Sequence, residues 1–144
     1  MKISVASSWC NEIQPQVVNI LRGAGYTVYD FRHPSEDNAG FSWAEIDSNW
    51  ESWTNEEYLT ALNHPIAVKA FHLDITALYE ADCVIMVMPC GNSSHLELGH
   101  GAGQNKHTAI LLENERADLM YKMADLITPY IMEIVRWIKD LETK

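Results

Sequence analysis

Positive charge is scarce in this sequence: ten lysines and arginines stand against twenty aspartates and glutamates, a formal net charge of -10. Such a surface repels a polyphosphate backbone, which argues against general nucleic-acid binding, although one small phosphate could still be held locally. The composition, 47% hydrophobic and 21% charged, is that of an ordinary folded protein. Because 144 residues are few for two domains, a single domain over residues 1–144 is expected.

Long hydrophobic runs and cysteines are also few. The opening "MKISVASSWCNEI" has one lysine and a short apolar run, which predicts neither a signal peptide nor a membrane span. The three cysteines, Cys10, Cys83 and Cys90, are odd in number and lack metal-type spacing. This pattern is typical of reduced intracellular thiols, so a cytoplasmic location without membrane partners is expected.

The usual nucleotide and metal motifs are missing from the sequence. No Gly-x-Gly-x-x-Gly follows the first predicted strand, and no Walker sequence occurs. His95 and His100 are five residues apart, which on a helix places them on different faces, and there is no His-Glu-x-x-His. We therefore expect no metal and disfavour the common modes of dinucleotide and triphosphate binding.

Strand and helix patterns alternate along the chain. The continuous apolar run "CVIMVMP" is typical of a central strand that is covered on both faces. This alternation predicts an α/β fold, a single doubly wound, flavodoxin- or Rossmann-like sheet of about five parallel strands flanked by helices. Strands are predicted at 2–7, 26–31, 83–89, 108–112 and 126–128, and helices at 54–62, 66–81, 94–103 and 117–124, with two more that start near Pro15 and Pro129.

Residues 32–53 interrupt this alternation. They contain Trp43, Trp50 and Trp53 and show no clean period, so a long ordered loop is predicted; loops of this length in compact domains are usually functional. After the loop, Thr54 and Glu57 have the spacing of a capping box, which predicts the start of the next helix.

Polar residues follow three of the predicted strands. Ligands of open α/β sheets bind beyond the carboxyl ends of the strands, so these residues are expected to converge on one cleft. They are Ser7, Ser8 and Trp9 after the first strand, Asp30, Arg32 and His33 around the end of the second, and Gly91, Ser93, Ser94, His95 and Glu97 after the third.

Glu97 has two interpretations. Ser94 and Glu97 have the Ser-x-x-Glu spacing of a capping box, which would satisfy free N–H groups at a helix start without any chemistry. Alternatively, the neighbouring small residues, among them Gly91, Gly99 and Gly101, leave room for a substrate to approach. A carboxylate beside such space could act as a nucleophile.

The stretch "ADCVIMVMPCGNSSHLELGHGAGQNKHTAILL" resembles the signature of the nucleoside 2-deoxyribosyltransferase-like family. The resemblance extends from about Phe71 to Leu112, with a looser match at "ISVASSW", and excludes the tryptophan-rich loop. The same half of the chain is similar to nucleoside monophosphate glycosidases of that superfamily and, more distantly, to TIR-type domains that cleave NAD. The resemblance implies that residues 1–144 form one such domain.

The resemblance also implies roles for individual residues. Glu97 would attack the anomeric carbon, and Asp74 would protonate or hold the base; the alternative for Asp74 is a solvated helix charge. Ser7, Ser8, Ser93 and Ser94 would bind a 5′-phosphate with Arg32, although local capping is the alternative for each serine. Phe41, Trp43, Trp50 and Trp53 could enclose the base, or pack as core or dimer contacts.

Together these observations predict cleavage or transfer of the N-glycosidic bond of a nucleoside or its 5′-monophosphate through a glycosyl-glutamate intermediate, with no cofactor. Two alternatives are NAD cleavage as in TIR-type domains and a nucleotide-binding or sensing module without turnover. The resemblance also implies a homodimer or higher homo-oligomer, and family members build part of the site from a neighbouring subunit near the segment that holds Met120, Tyr121 and Met123.

Overall fold

The computed structural model describes residues 1–114 and 117–143, and contacts divide the chain into two units. The sheet unit contains Met1–Asp30 and Glu80–Lys144, and the insert unit contains Phe31–Tyr79. The insert unit thus enters the chain between the second and third strands. The insert unit consists of the tryptophan-rich loop and nearly all of the two helices that follow it.

Five parallel strands form one sheet within the described part of the sheet unit, with the order β2-β1-β3-β4-β5. The doubly wound sheet of about five strands is therefore confirmed, and its order is the flavodoxin-like one. The strands are β1 (Lys2–Ala6), β2 (Thr27–Asp30), β3 (Cys83–Val87), β4 (His107–Leu111) and β5 (Leu126–Thr128).

Helices cover both faces of the sheet. Helices α1 (Gln14–Gly23) and α5 (Ile131–Glu142) share one core with side chains such as Ile3 and Ile85. Helix α4 (Asn92–Gly103) packs on the opposite face, over β3, β1 and β4. All five residues of β3 are buried, as its continuous apolar run predicts.

The insert unit contains helices α2 (Asn55–Ala61) and α3 (Pro65–Glu80), the latter ending one residue beyond the unit. The capping box predicted for α2 is confirmed: Thr54 Oγ1 accepts from Glu57 N at 3.2 Å, and Glu57 Oε2 accepts from Thr54 N at 2.7 Å. The predicted loop is ordered by two 3-10 turns, Trp43–Glu45 and Trp50–Ser52.

Most differences from the predicted elements are at their ends. The short helix expected at 117–124 is a 3-10 segment, Leu119–Met123, and the last helix starts at Ile131 rather than at Pro129. Among the described residues, no helix combines the length and apolar character needed to cross a membrane.

The thiol of Cys83 is buried in the core of the sheet. Burial, assisted by the nearby Asp125 and Asp82, raises the pKa of Cys83 from 9.0 to about 12. Because the pKa of Cys83 is higher in the folded chain than in the unfolded chain, the protonated thiol contributes to stability at pH values below the unfolded pKa. This contribution to the free energy of unfolding is lost as the pH rises from about 9 toward 12. Over that pH range, the free energy of unfolding should therefore fall less in the Cys83→Ala variant than in the parent chain. Urea titrations at each pH measure this difference.

The same burial makes Cys83 unreactive in the folded chain, whereas Cys10 is exposed. A chromogenic disulfide reagent at pH 8 should modify Cys10 quickly and Cys83 only after denaturant is added. Fast modification of Cys83 without denaturant would contradict the buried position of β3.

Candidate active site

The strand order places a crevice at the carboxyl ends of β1 and β3. Between these neighbours the direction of strand addition reverses, and the connections that follow them lead to α1 and α4 on opposite faces of the sheet. Loops that diverge in this way leave a space, the usual ligand site of such sheets. Residues 7–13 follow β1 on one side, and residues 88–91 follow β3 on the other.

Asn11 joins the two loops. Its side-chain Nδ2 donates to Val87 O at 3.2 Å and to Pro89 O at 3.0 Å, while its Oδ1 accepts from Ile13 N and Gln14 N, both at 2.9 Å. The residue is buried, with 2% of its surface exposed. Asn11 therefore caps the start of α1 and holds that start against the end of β3.

Asn11 is absent from the residues predicted from sequence. An asparagine shortly before a helix is a capping signal, so its contacts with α1 could have been predicted. Its two bonds to the end of β3 could not, because those partners lie 76 and 78 residues away.

Replacement of Asn11 by alanine is expected to lower the free energy of unfolding by roughly 1–2 kcal/mol, the usual effect of losing a helix cap. Urea denaturation measures this loss. Asn19→Ala is the control, because Asn19 is exposed within α1 and alanine favours helix there. Equal stability of the two variants would contradict the role of Asn11.

The predicted ligand residues Ser7 and Ser8 both make local bonds. Ser7 Oγ donates to Val87 O at 2.8 Å, and Ser8 Oγ accepts from Cys10 N at 3.2 Å. The hydroxyl of Ser7 thus donates its proton to β3. The side-chain oxygens of Ser7 and Ser8 both lie at the carboxyl edge of the sheet. Trp9, between this pair and Cys10, is half exposed.

Asp30 ends β2 and is buried. Its Oδ1 accepts from Gln14 Nε2 at 2.9 Å, which ties the end of β2 to the start of α1. Gln14 is fully buried, and within the described part of the chain its Oε1 has no hydrogen-bond partner. The carboxyl ends of β2, β1 and β3 are thus linked in series by Gln14, Asn11 and Ser7.

The start of α4 excludes the capping-box interpretation of Glu97. The helix begins at Asn92 with Gly91 as its N-cap, so Ser94 is the third helical residue and Glu97 the sixth. Both the predicted start at Ser94 and the Ser94–Glu97 capping box are therefore wrong. Glu97 lies in the second turn, half-buried, beside the stripe of Ser94, Leu98 and Gly101 that faces the sheet.

The first turn of α4 is open. No side-chain hydrogen bond from its N-cap residue and no acidic side chain occupies this turn in the described structure. Gly91 and Ser93 are exposed, and among the described residues a Cβ built on Gly91 meets no atom within 4 Å beyond its chain neighbours. Free N–H groups at a helix start attract anions and hydroxyls.

His95 makes hydrogen bonds with both ring nitrogens. Its Nδ1 lies 2.8 Å from Gly91 O, and its Nε2 lies 2.9 Å from the hydroxyl oxygen of Tyr121. His95 was predicted to contact substrate, whereas Tyr121 was considered only as a contact with a neighbouring subunit. The structure places Tyr121 against His95 of the same chain.

The insert unit carries the predicted aromatic residues. Trp43 lies at their centre, with ring centroids 4.8 Å from Phe41, 5.6 Å from Trp53 and 6.0 Å from Tyr58, all edge-on. This is the geometry of packed aromatic side chains. Trp50 remains 37% exposed.

Asp47 orders the same segment. Its carboxylate accepts from Trp53 Nε1 at 2.7 Å and from Asn49 N at 2.9 Å. The bond from Asn49 N, followed by that from the indole, lowers the pKa of Asp47 below its usual value. The tryptophan-rich segment is therefore a hydrogen-bonded structure with its own aromatic cluster.

Two further predicted residues belong to the insert unit. The Arg32 guanidinium lies 5.8 Å from the ring centroid of Phe31. Asp74 is half-buried on α3, on the helical stripe that includes the buried Ala67 and Leu78. Asp74 is thus partly shielded from water, unlike a solvated helix charge.

Among known proteins, the similarity of this chain is one of fold. No family model matches it, and no curated protein matches it. A solved structure is similar over 94% of this chain and 90% of its own length, with a TM-score of 0.60 and 19% identity: a 2-deoxyribosyltransferase from the psychrotolerant bacterium Bacillus psychrosaccharolyticus, described as a biocatalyst for nucleoside synthesis.

The chain has the fold of a 2-deoxyribosyltransferase. The resemblance stated from the sequence is therefore confirmed for the fold. At 19% identity the likeness establishes the fold alone, so the activity must be argued from the chain's own residues.

A surface hollow lies beyond β4 and β5. It is an open depression of about 640 Å³ lined by Leu112, Glu113, Asn114, Ala117, Asp118, Tyr121, Ile127 and Pro129. Elsewhere in the described residues, no group of three His, Cys, Asp or Glu side chains converges as metal ligands would. Tyr121 lines this depression and also bonds to His95 at the start of α4.

Proposed function

We propose that the chain is an enzyme that acts on the N-glycosidic bond of a nucleoside or nucleoside 5′-monophosphate, with Glu97 as nucleophile. The observation that carries the proposal is the half-buried position of Glu97 in the second turn of α4, the helix that follows β3 at the β1–β3 switch point. The fold shared with a 2-deoxyribosyltransferase supports the same substrate class.

The proposed reaction has two steps. A carboxylate oxygen of Glu97 bonds to the anomeric carbon C1′ while the bond from C1′ to the base nitrogen breaks, and the departing base takes up a proton. Water or a second base then attacks C1′, loses its own proton, and releases Glu97 as a carboxylate. These steps need no metal or organic cofactor.

Asp74 is proposed to supply and recover that proton or to hold the base, and its half-buried position favours such use over plain solvation. The remaining predicted contacts stay predictions: Ser7, Ser8, Trp9, Asp30, Arg32, Phe41, Trp43, Gly91, Ser93, Ser94 and His95. Among them, the exposed Gly91 and Ser93 at the open turn of α4 are the best placed for a 5′-phosphate or a sugar hydroxyl.

The test is release of free base, followed by chromatography, from a panel of ribo- and 2′-deoxyribonucleosides, their 5′-monophosphates and NAD. A covalent intermediate would add the mass of the sugar to the intact protein, and peptide mapping would place it on Glu97. Reduced release by Asp74→Asn would support its role. Saturable nucleotide binding without any base release would favour the binding-module alternative, and nicotinamide release from NAD the TIR-like one.

The homodimer or higher homo-oligomer and the cytoplasmic location stay predictions. Exposed apolar side chains at Leu119, Met120 and Met123 are compatible with a subunit contact. Sedimentation velocity measures the assembly state directly, and a strict monomer would remove the subunit contact expected around Met120 and Met123.

A further inference from the structure

We infer that Tyr121 is a positioning residue for the chemistry at Glu97, an inference that rests on the proposed function. Tyr121 acts through His95, whose imidazole lies in the first turn of α4, two residues before Glu97. Tyr121 touches neither reacting atom in this scheme. It fixes the direction in which α4 leaves the β3 loop.

The contact with Gly91 O indicates that Nδ1 of His95 carries a hydrogen. A carbonyl oxygen can only accept, so the 2.8 Å contact with Gly91 O requires a hydrogen on Nδ1. In the neutral ring Nε2 is then an acceptor, and the Tyr121 hydroxyl donates to it at 2.9 Å. Gly91 O thus selects the tautomer with hydrogen on Nδ1, and the Tyr121 hydroxyl, which can donate or accept, is compatible with it.

This pair of bonds links the start of α4 to the segment that carries Tyr121. Gly91 has no side chain with which to cap the first-turn N–H groups of α4, and its carbonyl oxygen accepts from the His95 ring. The ring is in turn held by Tyr121 from the 3-10 segment Leu119–Met123. The direction of the first turn, and with it the position of Glu97, therefore depends on a residue 26 positions away from His95 in sequence.

The 3-10 segment that carries Tyr121 is held by local hydrogen bonds. Asp118 Oδ1 accepts from Met120 N at 2.8 Å, and Tyr121 O accepts from Ala124 N at 2.9 Å. Leu119, Met120 and Met123 are exposed, whereas Tyr121 is half-buried. Its hydroxyl oxygen also lies 3.8 Å from Sδ of Met88, the residue that follows β3, and this is a packing contact when the single hydroxyl proton is donated to His95.

The Tyr121→Phe variant removes the hydroxyl and keeps the ring. We expect a fall in kcat of roughly ten- to a hundred-fold with KM nearly unchanged, because a small displacement of a reacting group costs this much while substrate contacts persist. Tyr130→Phe is the matched control, since Tyr130 is an exposed tyrosine of the same unit. An unchanged kcat in Tyr121→Phe, beside an active parent chain, would overturn the inference.

Nitrogen-15 NMR of the His95 ring gives a readout that needs no substrate. The parent chain should show the Nδ1–H tautomer, and Tyr121→Phe should shift the Nε2 resonance, whereas Tyr130→Phe should not. An Nε2–H tautomer in the parent chain would overturn the inference. If no nucleoside is cleaved while these shifts occur, the proposed function fails and the His95–Tyr121 coupling stands.

Discussion

The Glu97→Gln variant is expected to release base at least about a thousand-fold more slowly than the parent chain, with little change in KM. Glutamine has nearly the same shape but lacks the charged oxygen that forms the sugar ester, so binding is retained and the first chemical step is lost. Steady-state chromatography on the best substrate of the panel measures the loss in kcat.

Two controls separate nucleophile loss from other causes. Glu36→Gln removes the same charge from an exposed turn of the insert unit and should leave kcat unchanged. In a Glu97→Ala variant, added formate should restore part of the activity, because a small carboxylate can occupy the vacated position and attack C1′. Full activity of Glu97→Gln, or an equal loss in Glu36→Gln, would refute the proposed role of Glu97.

The Gly101→Ala variant is expected to be the most destabilising small substitution in α4. A Cβ at this position would lie 2.8 Å from Val84 Cγ2 and 3.3 Å from Val84 Cβ, with Thr108 Cγ2 at 3.4 Å. Val84 is fully buried in β3 and its β-branched side chain has little rotamer freedom, so the helix must move away from the sheet. Overpacking of this kind costs about 1–3 kcal/mol.

Gly99→Ala provides the matched comparison in the same helix. In the described structure, a Cβ at Gly99 meets nothing within 4 Å outside its own helix backbone and chain neighbours, so the better helix propensity of alanine should stabilise the protein by about 0.5–1 kcal/mol. Urea denaturation should therefore show changes of opposite sign for the two variants. Stabilisation of both would show that α4 is not held against β3 at Gly101.

The Gly101 site also affects the proposed chemistry, because Glu97 lies one helical turn before it. Moving α4 off the sheet displaces that carboxylate, so Gly101→Ala should lose activity even at temperatures where it is fully folded. The Val84→Ala/Gly101→Ala double variant should recover part of the stability, since it vacates the space that the new methyl group needs. A double-mutant cycle measures this coupling.

The two Ser/Thr-x-x-Glu patterns, both typical of a capping box, differ in outcome. Thr54 and Glu57 form the predicted box, with both reciprocal bonds present. Ser94 and Glu97 have the same spacing, yet α4 starts two residues earlier and Ser94 is buried against the sheet. The point at which the chain leaves β3 sets that start, and a four-residue pattern carries no information about it.

Some residues of the candidate site could be selected from sequence, whereas the contacts between distant residues could not. Glu97 and the polar residues after β1 and β3 could be selected from sequence, since polar residues at strand ends are visible as breaks in an apolar run. The bonds from Asn11 to Val87 and from His95 to Tyr121 join residues 76 and 26 positions apart. No periodicity relates such partners, because their proximity follows from strand order and helix crossing.

The sequence by itself determined the parallel α/β class, most of the elements and the carboxylate on which the function is proposed to depend. Hydrophobic runs and helix caps are local, and they act through burial and backbone hydrogen bonding of adjacent residues. The tertiary structure alone decided that Glu97 lies in a second helical turn, that Asn11 joins two loops and that Tyr121 orients His95. These features depend on which strands are neighbours and on where the chain leaves β3, because both bring together residues that are far apart in sequence.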